Sequence, residues 1–220
     1  PDDSIVVIGS GIFSNGKATL YEVSTGGVAY KFPHLNKPVW AVCISPNNEW
    51  VIAGGGENEK AYLYNLSNKQ EEEIPLGFKK VYAAAFSSDS KQFVVGGYSG
   101  DNNEAVIYSL DTKEQLTTIK TNSDVFSLSF HNNNQHLLVG EYSGNVSLCD
   151  SNTGDVLQTF QQNGGIRSSG FINNHMFYAS GSNDRIFTIR DTATSEMKYT
   201  RLSSSNSTNV SIVPHEAQNT

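Results

Sequence analysis

The sequence predicts an all-β chain built from five copies of one four-stranded unit, and three observations predict it. An apolar run ending in glycine returns at steps of roughly 40 to 45 residues. A second apolar run follows each copy at a similar distance, with a turn and a more polar alternating run after it. No stretch sustains a 3.6-residue period, so no helix of consequence is expected.

The first run reads Val6-Val7-Ile8-Gly9, Val51-Ile52-Ala53-Gly54, Val94-Val95-Gly96 and Leu137-Leu138-Val139-Gly140. Its fifth copy is Phe177-Tyr178-Ala179-Ser180-Gly181, with serine in the glycine slot. The second run reads Ala18-Thr19-Leu20-Tyr21, Ala61-Tyr62-Leu63-Tyr64, Ala105-Val106-Ile107-Tyr108, Val146-Ser147-Leu148-Cys149 and Ile186-Phe187-Thr188-Ile189. Turn residues such as Ser24-Thr25-Gly26 and Asn152-Thr153-Gly154 come next, then a run such as Val156 to Phe160. The last run of a unit is residues 39–45, 81–87, 125–130 or 166–171. Runs of four to eight β-branched or aromatic residues between turn residues read as strands. Four short strands per unit, repeated, predict a β-propeller. The repeats fall at about 1–38, 39–80, 81–124, 125–165 and 166–207, with a sixth begun over 208–220.

Several short motifs carry a resemblance to one family. Asp191 with Thr192-Ala193-Thr194 resembles the Trp-Asp ending of the third strand in WD40 repeats, and Cys149-Asp150 matches it in part. Tyr21-Glu22, Tyr64-Asn65 and Tyr108-Ser109 hold that place in the other copies. Ile44-Ser45-Pro46-Asn47-Asn48 and Phe86-Ser87-Ser88-Asp89 resemble the family's link between first and second strands, and Asn183-Asp184 its tight Asp turn. The Gly-His dipeptide is missing, and His34 is displaced from its place. The hydrogen-bond network that the family builds on Asp, His, Ser and Trp is therefore not expected in most units. The resemblance covers essentially the whole chain and implies a WD40-type propeller, most often seven-bladed.

The ends share one phase of the repeat. Residues 1–9 align without a gap on residues 46–54, and Val210-Ser211-Ile212-Val213-Pro214 matches Val42-Cys43-Ile44-Ser45-Pro46. Two expectations follow. Either the chain is part of a seven-bladed propeller, the favoured reading, or its last strand closes a five-bladed ring and removes the exposed edges.

In the innermost strands alternate residues face opposite sides. One set is small: Ala41 and Cys43, Ala83 and Ala85, Ser127 and Ser129, Ser168 and Gly170. The other is large and expected in the core: Val42 and Ile44, Ala84 and Phe86, Leu128 and Phe130, Phe171. Trp40, Tyr82, Phe126 and Arg167 continue the large set towards the strand start. The resemblance places that position on the top face near the channel mouth, where partners bind. Aromatic and arginine side chains dominate binding hot spots, so these four form the candidate partner-binding site. Ordinary packing under loops is the alternative. Lys80, Asp124 and Asn206 are candidates for a polar rim.

Composition limits the other functions. The net charge of -7, from 15 Lys+Arg and 22 Asp+Glu, argues against a phosphate-backbone partner, and Glu71-Glu72-Glu73 reads as a solvated outer strand. No 18-residue apolar window exists for a membrane helix. Cys43 and Cys149 lie in apolar runs and read as buried thiols, which favours a reducing compartment. Gly9-Ser10-Gly11 and Gly54-Gly55-Gly56 are followed by strands, so no helix N-terminus awaits a phosphate. His34, His131, His136, His175 and His215 are scattered and give no metal spacing. Asn-x-Ser/Thr occurs at Asn65, Asn145, Asn206 and Asn209, which matters only in a secreted protein.

The function expected is a non-catalytic protein-interaction scaffold that binds a peptide or domain on the top face, with no cofactor, metal, nucleic acid, membrane insertion or small-molecule ligand. A cytoplasmic or nuclear location is expected. An architectural subunit of a large trafficking or cytoskeletal assembly is one alternative, and a propeller module of an enzyme or secreted protein is another. Fold alone does not decide between them.

Overall fold

A computed structural model describes residues 4–11, 15–56, 60–100, 102–181, 186–194 and 196–202. The expected Asn183-Asp184 turn, the 210–213 strand, Asn206, Asn209 and His215 lie outside the described residues. Every regular element described is a strand. No helix among the described residues is long and apolar enough to cross a membrane.

The first sheet has three strands, β1 (Ile5–Ser10), β2 (Lys17–Glu22) and β3 (Val28–Lys31). The second sheet runs β4 (Val39–Ile44), β5 (Trp50–Gly55), β6 (Lys60–Asn65) and β7 (Glu71–Pro75). The third is β8 (Lys80–Phe86), β9 (Gln92–Tyr98), β10 (Glu104–Ser109) and β11 (Gln115–Lys120). The fourth is β12 (Val125–Phe130), β13 (His136–Glu141), β14 (Asn145–Asp150) and β15 (Val156–Gln161). The fifth is β16 (Ile166–Asn173), β17 (Met176–Gly181), β18 (Ile186–Asp191) and β19 (Met197–Leu202). All pairs are antiparallel meanders, as short strands joined by tight turns require. The innermost strands β4, β8, β12 and β16 are successive neighbours, and β1 lies beside β4. This is propeller packing, with each sheet a blade.

The core lies between blades. One wedge joins Leu20, Phe32, Val51 and Tyr64, and the next joins Ile52, Leu63, Phe78 and Phe93. Two more follow around Val94, Ile107 and Leu137, and around Leu138, Ile166 and Phe177. Phe86 and Leu128 of the large set are buried as expected. Val42, Ile44, Ala84, Phe130 and Phe171 are only half-buried against these wedges, a correction to their placement in the core.

The glycine slot is explained by the next blade. A Cβ at Gly54 would meet Val81 Cγ1 at 2.8 Å, one at Gly96 Val125 Cγ1 at 2.7 Å, and one at Gly140 Ile166 Cγ2 at 2.6 Å. A β-branched side chain at the start of each innermost strand fills the notch in the preceding blade. Real Cβ atoms do not approach this closely, so the slot must stay bare.

The third-strand endings form a repeated cap. Asp150 Oδ1 accepts from the backbone N–H of Asn152 and Thr153, and Asp191 Oδ1 accepts from Ala193 and Thr194. Asn65 does the same for Ser67 and Asn68. A short acceptor side chain satisfies a turn's own donors, which explains this residue type at this place. The hairpin then needs a left-handed residue, supplied by Gly26 and Gly154 (φ 66° and 80°) or by Lys69 and Lys113.

Candidate partner-binding arc

Each innermost strand carries a β-bulge at the same step. Val39 pairs Gly55 and Ala41 pairs Gly54, so Trp40 is skipped. Val81 and Ala83 pair Gly97 and Gly96, skipping Tyr82. Val125 and Ser127 pair Glu141 and Gly140, skipping Phe126. Ile166 and Ser168 pair Gly181 and Ser180, skipping Arg167. The four residues singled out in the sequence are the four residues skipped at this step; β16 skips a further one, Ile172, near its other end. A bulge inserts one residue without a cross-strand partner and increases local twist. The buried Val or Ile before it and the buried or half-buried small residue after it anchor it on both sides.

The bulges bring the four side chains into one line. The rings of Trp40 and Tyr82 lie 5.0 Å apart at 57°, and those of Tyr82 and Phe126 lie 4.8 Å apart, edge to face. The Arg167 guanidinium stands 4.1 Å from the centre of the Phe126 ring. Edge-to-face rings at such spacing attract one another, and a cation over a ring face adds to this. Trp40 and Arg167 are exposed, whereas Tyr82 and Phe126 are half-buried. The arc therefore packs against itself and still fronts solvent.

The surroundings are polar and partly desolvated. Burial pushes the Tyr82 hydroxyl above its ordinary pKa, with Asp124 adding to the shift. Burial also raises the Asp124 carboxyl, while Lys80 opposes the rise. Lys79 and Lys80 each stand 5.9 Å from the Tyr98 ring centre. Of the expected rim residues, Lys80 and Asp124 flank the arc, and Asn206 lies outside the described residues.

Two contributors escaped the sequence reading. Tyr142, 55% exposed, extends the arc with its ring 5.4 Å from Phe126, edge to face. Its signal was present: Tyr98-Ser99-Gly100 and Tyr142-Ser143-Gly144 stand at one repeat position. Glu141 had no signal. It is buried where the neighbouring blades carry Gly55, Gly97 and Gly181, and its carboxylate accepts the N–H groups of Asn122 and Ser123, both at 2.9 Å. It thereby ties the loop before β12 to the end of β13, on either side of Phe126 and Tyr142.

The two thiols stand apart from this chemistry. Burial pushes Cys43 up to about 11 and Cys149 up to about 12, so both stay protonated near neutrality. Among the described residues no three His, Cys, Asp or Glu side chains are grouped as a metal site.

Comparison with known families agrees with this architecture. The model described as WD domain, G-beta repeat matches residues 27–65, and the model described as anaphase-promoting complex subunit 4 WD40 domain matches residues 76–174. The chain belongs to the WD40-repeat family. A search of curated proteins gives no match. The matched segments take in β3 to β6 and β8 to β16, and hence Trp40, Tyr82, Phe126 and Arg167. WD40 domains generally act as protein-interaction scaffolds and are generally non-catalytic. In this WD40 chain the Trp of the Trp-Asp ending is replaced throughout, while the capping acceptor is kept as Asp150, Asp191 and Asn65.

Proposed function

We propose that this WD40 chain is a non-catalytic scaffold that binds a peptide or domain of another protein over the arc of Trp40, Tyr82, Phe126 and Arg167. The supporting observation is continuity: three rings and a guanidinium, from four blades, touch in series at one end of the innermost strands. Rigid aromatics offer large contact area at small entropic cost, and arginine adds a planar donor fork. The partner segment is apolar and carries an acidic residue at the Arg167 end. The location proposed is cytoplasmic or nuclear, supported by two cysteines that form no disulfide.

The test is selection of binding peptides from a displayed library, followed by affinity measurement on Trp40→Ala and Tyr82→Ala. Each substitution should weaken binding by at least about 2 kcal/mol, some thirtyfold, with an unchanged unfolding midpoint. Peptides that bind both variants as tightly as the parent would overturn the reading. A second reading, a fixed architectural part of a large assembly, is supported by the match of residues 76–174 to a domain of a complex subunit.

A further inference from the structure

At the opposite end of the innermost strands the blades are stapled by turn residues. Asn47 N–H donates to Ser90 Oγ at 3.1 Å across the second and third blades. Ser88 N–H donates to Asn134 Oδ1 at 2.8 Å across the third and fourth. Ser90 and Asn134 occupy one turn position, both with left-handed φ. Those turns span residues 45–50, 87–92 and 131–136. The fifth blade differs: β16 runs on to pair Asn173 with Met176, leaving only Asn174 and His175 in the turn. No residue of 172–176 takes the left-handed conformation that positions the staple. In place of a staple, a cleft of about 400 Å³ lies between the fourth and fifth blades.

His131, His136 and His175 line this cleft with Asn133, Phe171 and Thr192. The hydrogen bonds fix two tautomers. Asn133 N–H donates to His131 Nδ1 at 3.0 Å, so this nitrogen is an acceptor and the proton of the neutral ring sits on Nε2. Asn133 Oδ1 accepts from Gln135 N–H at 2.9 Å, which sets the amide orientation. Its Nδ2 therefore faces His136 Nδ1 at 3.3 Å and donates to it, and His136 also carries its proton on Nε2. One asparagine thus locks two neighbouring imidazoles, their rings 5.9 Å apart, as Nε2–H donors. Locked donors of this kind suit an acceptor and not a metal ion, which needs the lone pair. Among the described residues, no Asp, Glu, Lys or Arg lines the cleft. The acid that acts on His136 from β14 is Asp150, whose carboxylate is already engaged by the Thr153 and Asn152 N–H groups.

We propose that this cleft is a second binding site and that it takes an oxyanion, through the Nε2–H groups of His131 and His136 with His175 and Thr192 at its edge. The oxyanion is a phosphate or a carboxylate group, free or carried on a partner side chain.

Long-range proton–nitrogen spectra of the imidazoles in the full 220-residue chain test this directly. Without ligand, His131 and His136 show Nε2–H tautomers. Inorganic phosphate shifts both saturably and together, and leaves His34, on the first blade's side of the molecule, unmoved. An acetate arm reads whether carboxylate competes, and a peptide-borne phosphoserine arm reads whether a carried group binds more tightly than the free ion. His136→Phe weakens phosphate binding about tenfold. Asn133→Asp places an acceptor beside His136 Nδ1, moves its proton to that nitrogen and abolishes phosphate binding while the amide spectrum stays folded. Nδ1–H tautomers in the parent, shifts that follow ionic strength equally at His34, or Zn²⁺ binding at these rings without any phosphate response would each overturn the proposal.

Discussion

Val6-Val7-Ile8-Gly9 on β1 and Leu137-Leu138-Val139-Gly140 on β13 are one motif at one place in the repeat, yet they live in different environments. Leu137, Leu138 and Val139 are all fully buried. Val6 and Ile8 are 43% and 50% exposed, and Val7 is half-buried, although the repeat position it shares with Ile52, Val94, Leu138 and Phe177 predicts burial for all five. The strands have the same length and similar composition. What differs is what lies around them: β13 has β12 on one edge and wedges on both faces, whereas β1 pairs only with β2 among the described residues. The outer side of the fifth blade repeats the lesson. Phe187 and Ile189 on β18 are half-buried, where the equivalent residues of β14 are buried. In a repeat architecture burial is a property of neighbours, and stability is made at the interfaces.

The comparison is sharpened most by paired truncations. Leu138→Ala should cost about 2–5 kcal/mol, because a fully enclosed side chain leaves a cavity. Val7→Ala should cost about 1 kcal/mol or less, since part of that surface already meets water. Urea unfolding of both variants reads the difference, and equal losses would break the argument. Next in size is Gly140→Ala, whose new methyl collides with Ile166 Cγ2. It should cost about 1–3 kcal/mol by overpacking. Gly9→Ala meets Val39 Cγ1 at 3.1 Å and should cost less.

Acid should separate the blades at a finer level. Backbone N–H groups of Thr153 and Asn152 hold the Asp150 carboxyl below its ordinary pKa, and Thr194 and Ala193 do so for Asp191. A depressed folded pKa contributes stability above the unfolded value, near 3.9, and that contribution fades as pH falls through the folded value. The outer hairpins of the fourth and fifth blades should therefore lose hydrogen-exchange protection below about pH 4. The second-blade hairpin, capped by uncharged Asn65, should lose none through this route. The smallest effect belongs to the surface pair Lys60–Glu73, 2.6 Å apart with both side chains well exposed. Glu73→Gln should leave the urea unfolding midpoint unchanged within error, because solvent screens so exposed a pair.

The blade repeat was legible because its glycine answers a hard steric demand from the next blade, and a Cβ-free slot leaves its mark at Gly54, Gly96 and Gly140. The four arc positions were legible because period-two alternation runs back from Ile44 and Val42 to Trp40. The bulge itself was invisible: one unpaired residue depends on the partner strand, and nothing in Val39-Trp40-Ala41 records that Gly55 and Gly54 are consecutive opposite them. Val7 was misplaced for the same reason, since its strand carries no record of what lies along its other edge. The histidine cleft was hidden because it arises from a shortened turn in one blade beside ring nitrogens on another. His131 and His175 are far apart in sequence, and only packing brings them to one wall.

The bulge also has an evolutionary corollary. A side chain that the ladder skips makes no cross-strand pair, so exchanging it leaves every backbone bond of the sheet in place. Trp40, Tyr82, Phe126 and Arg167 are thus four letters of a short text that can be rewritten one at a time while the page that bears it stays the same. Were the arc the partner surface proposed above, grafting a new quartet at these positions would be the economical way to redirect it, and drift at the same four sites would give duplicated copies of such a chain a route to diverge in recognition before they diverge in fold.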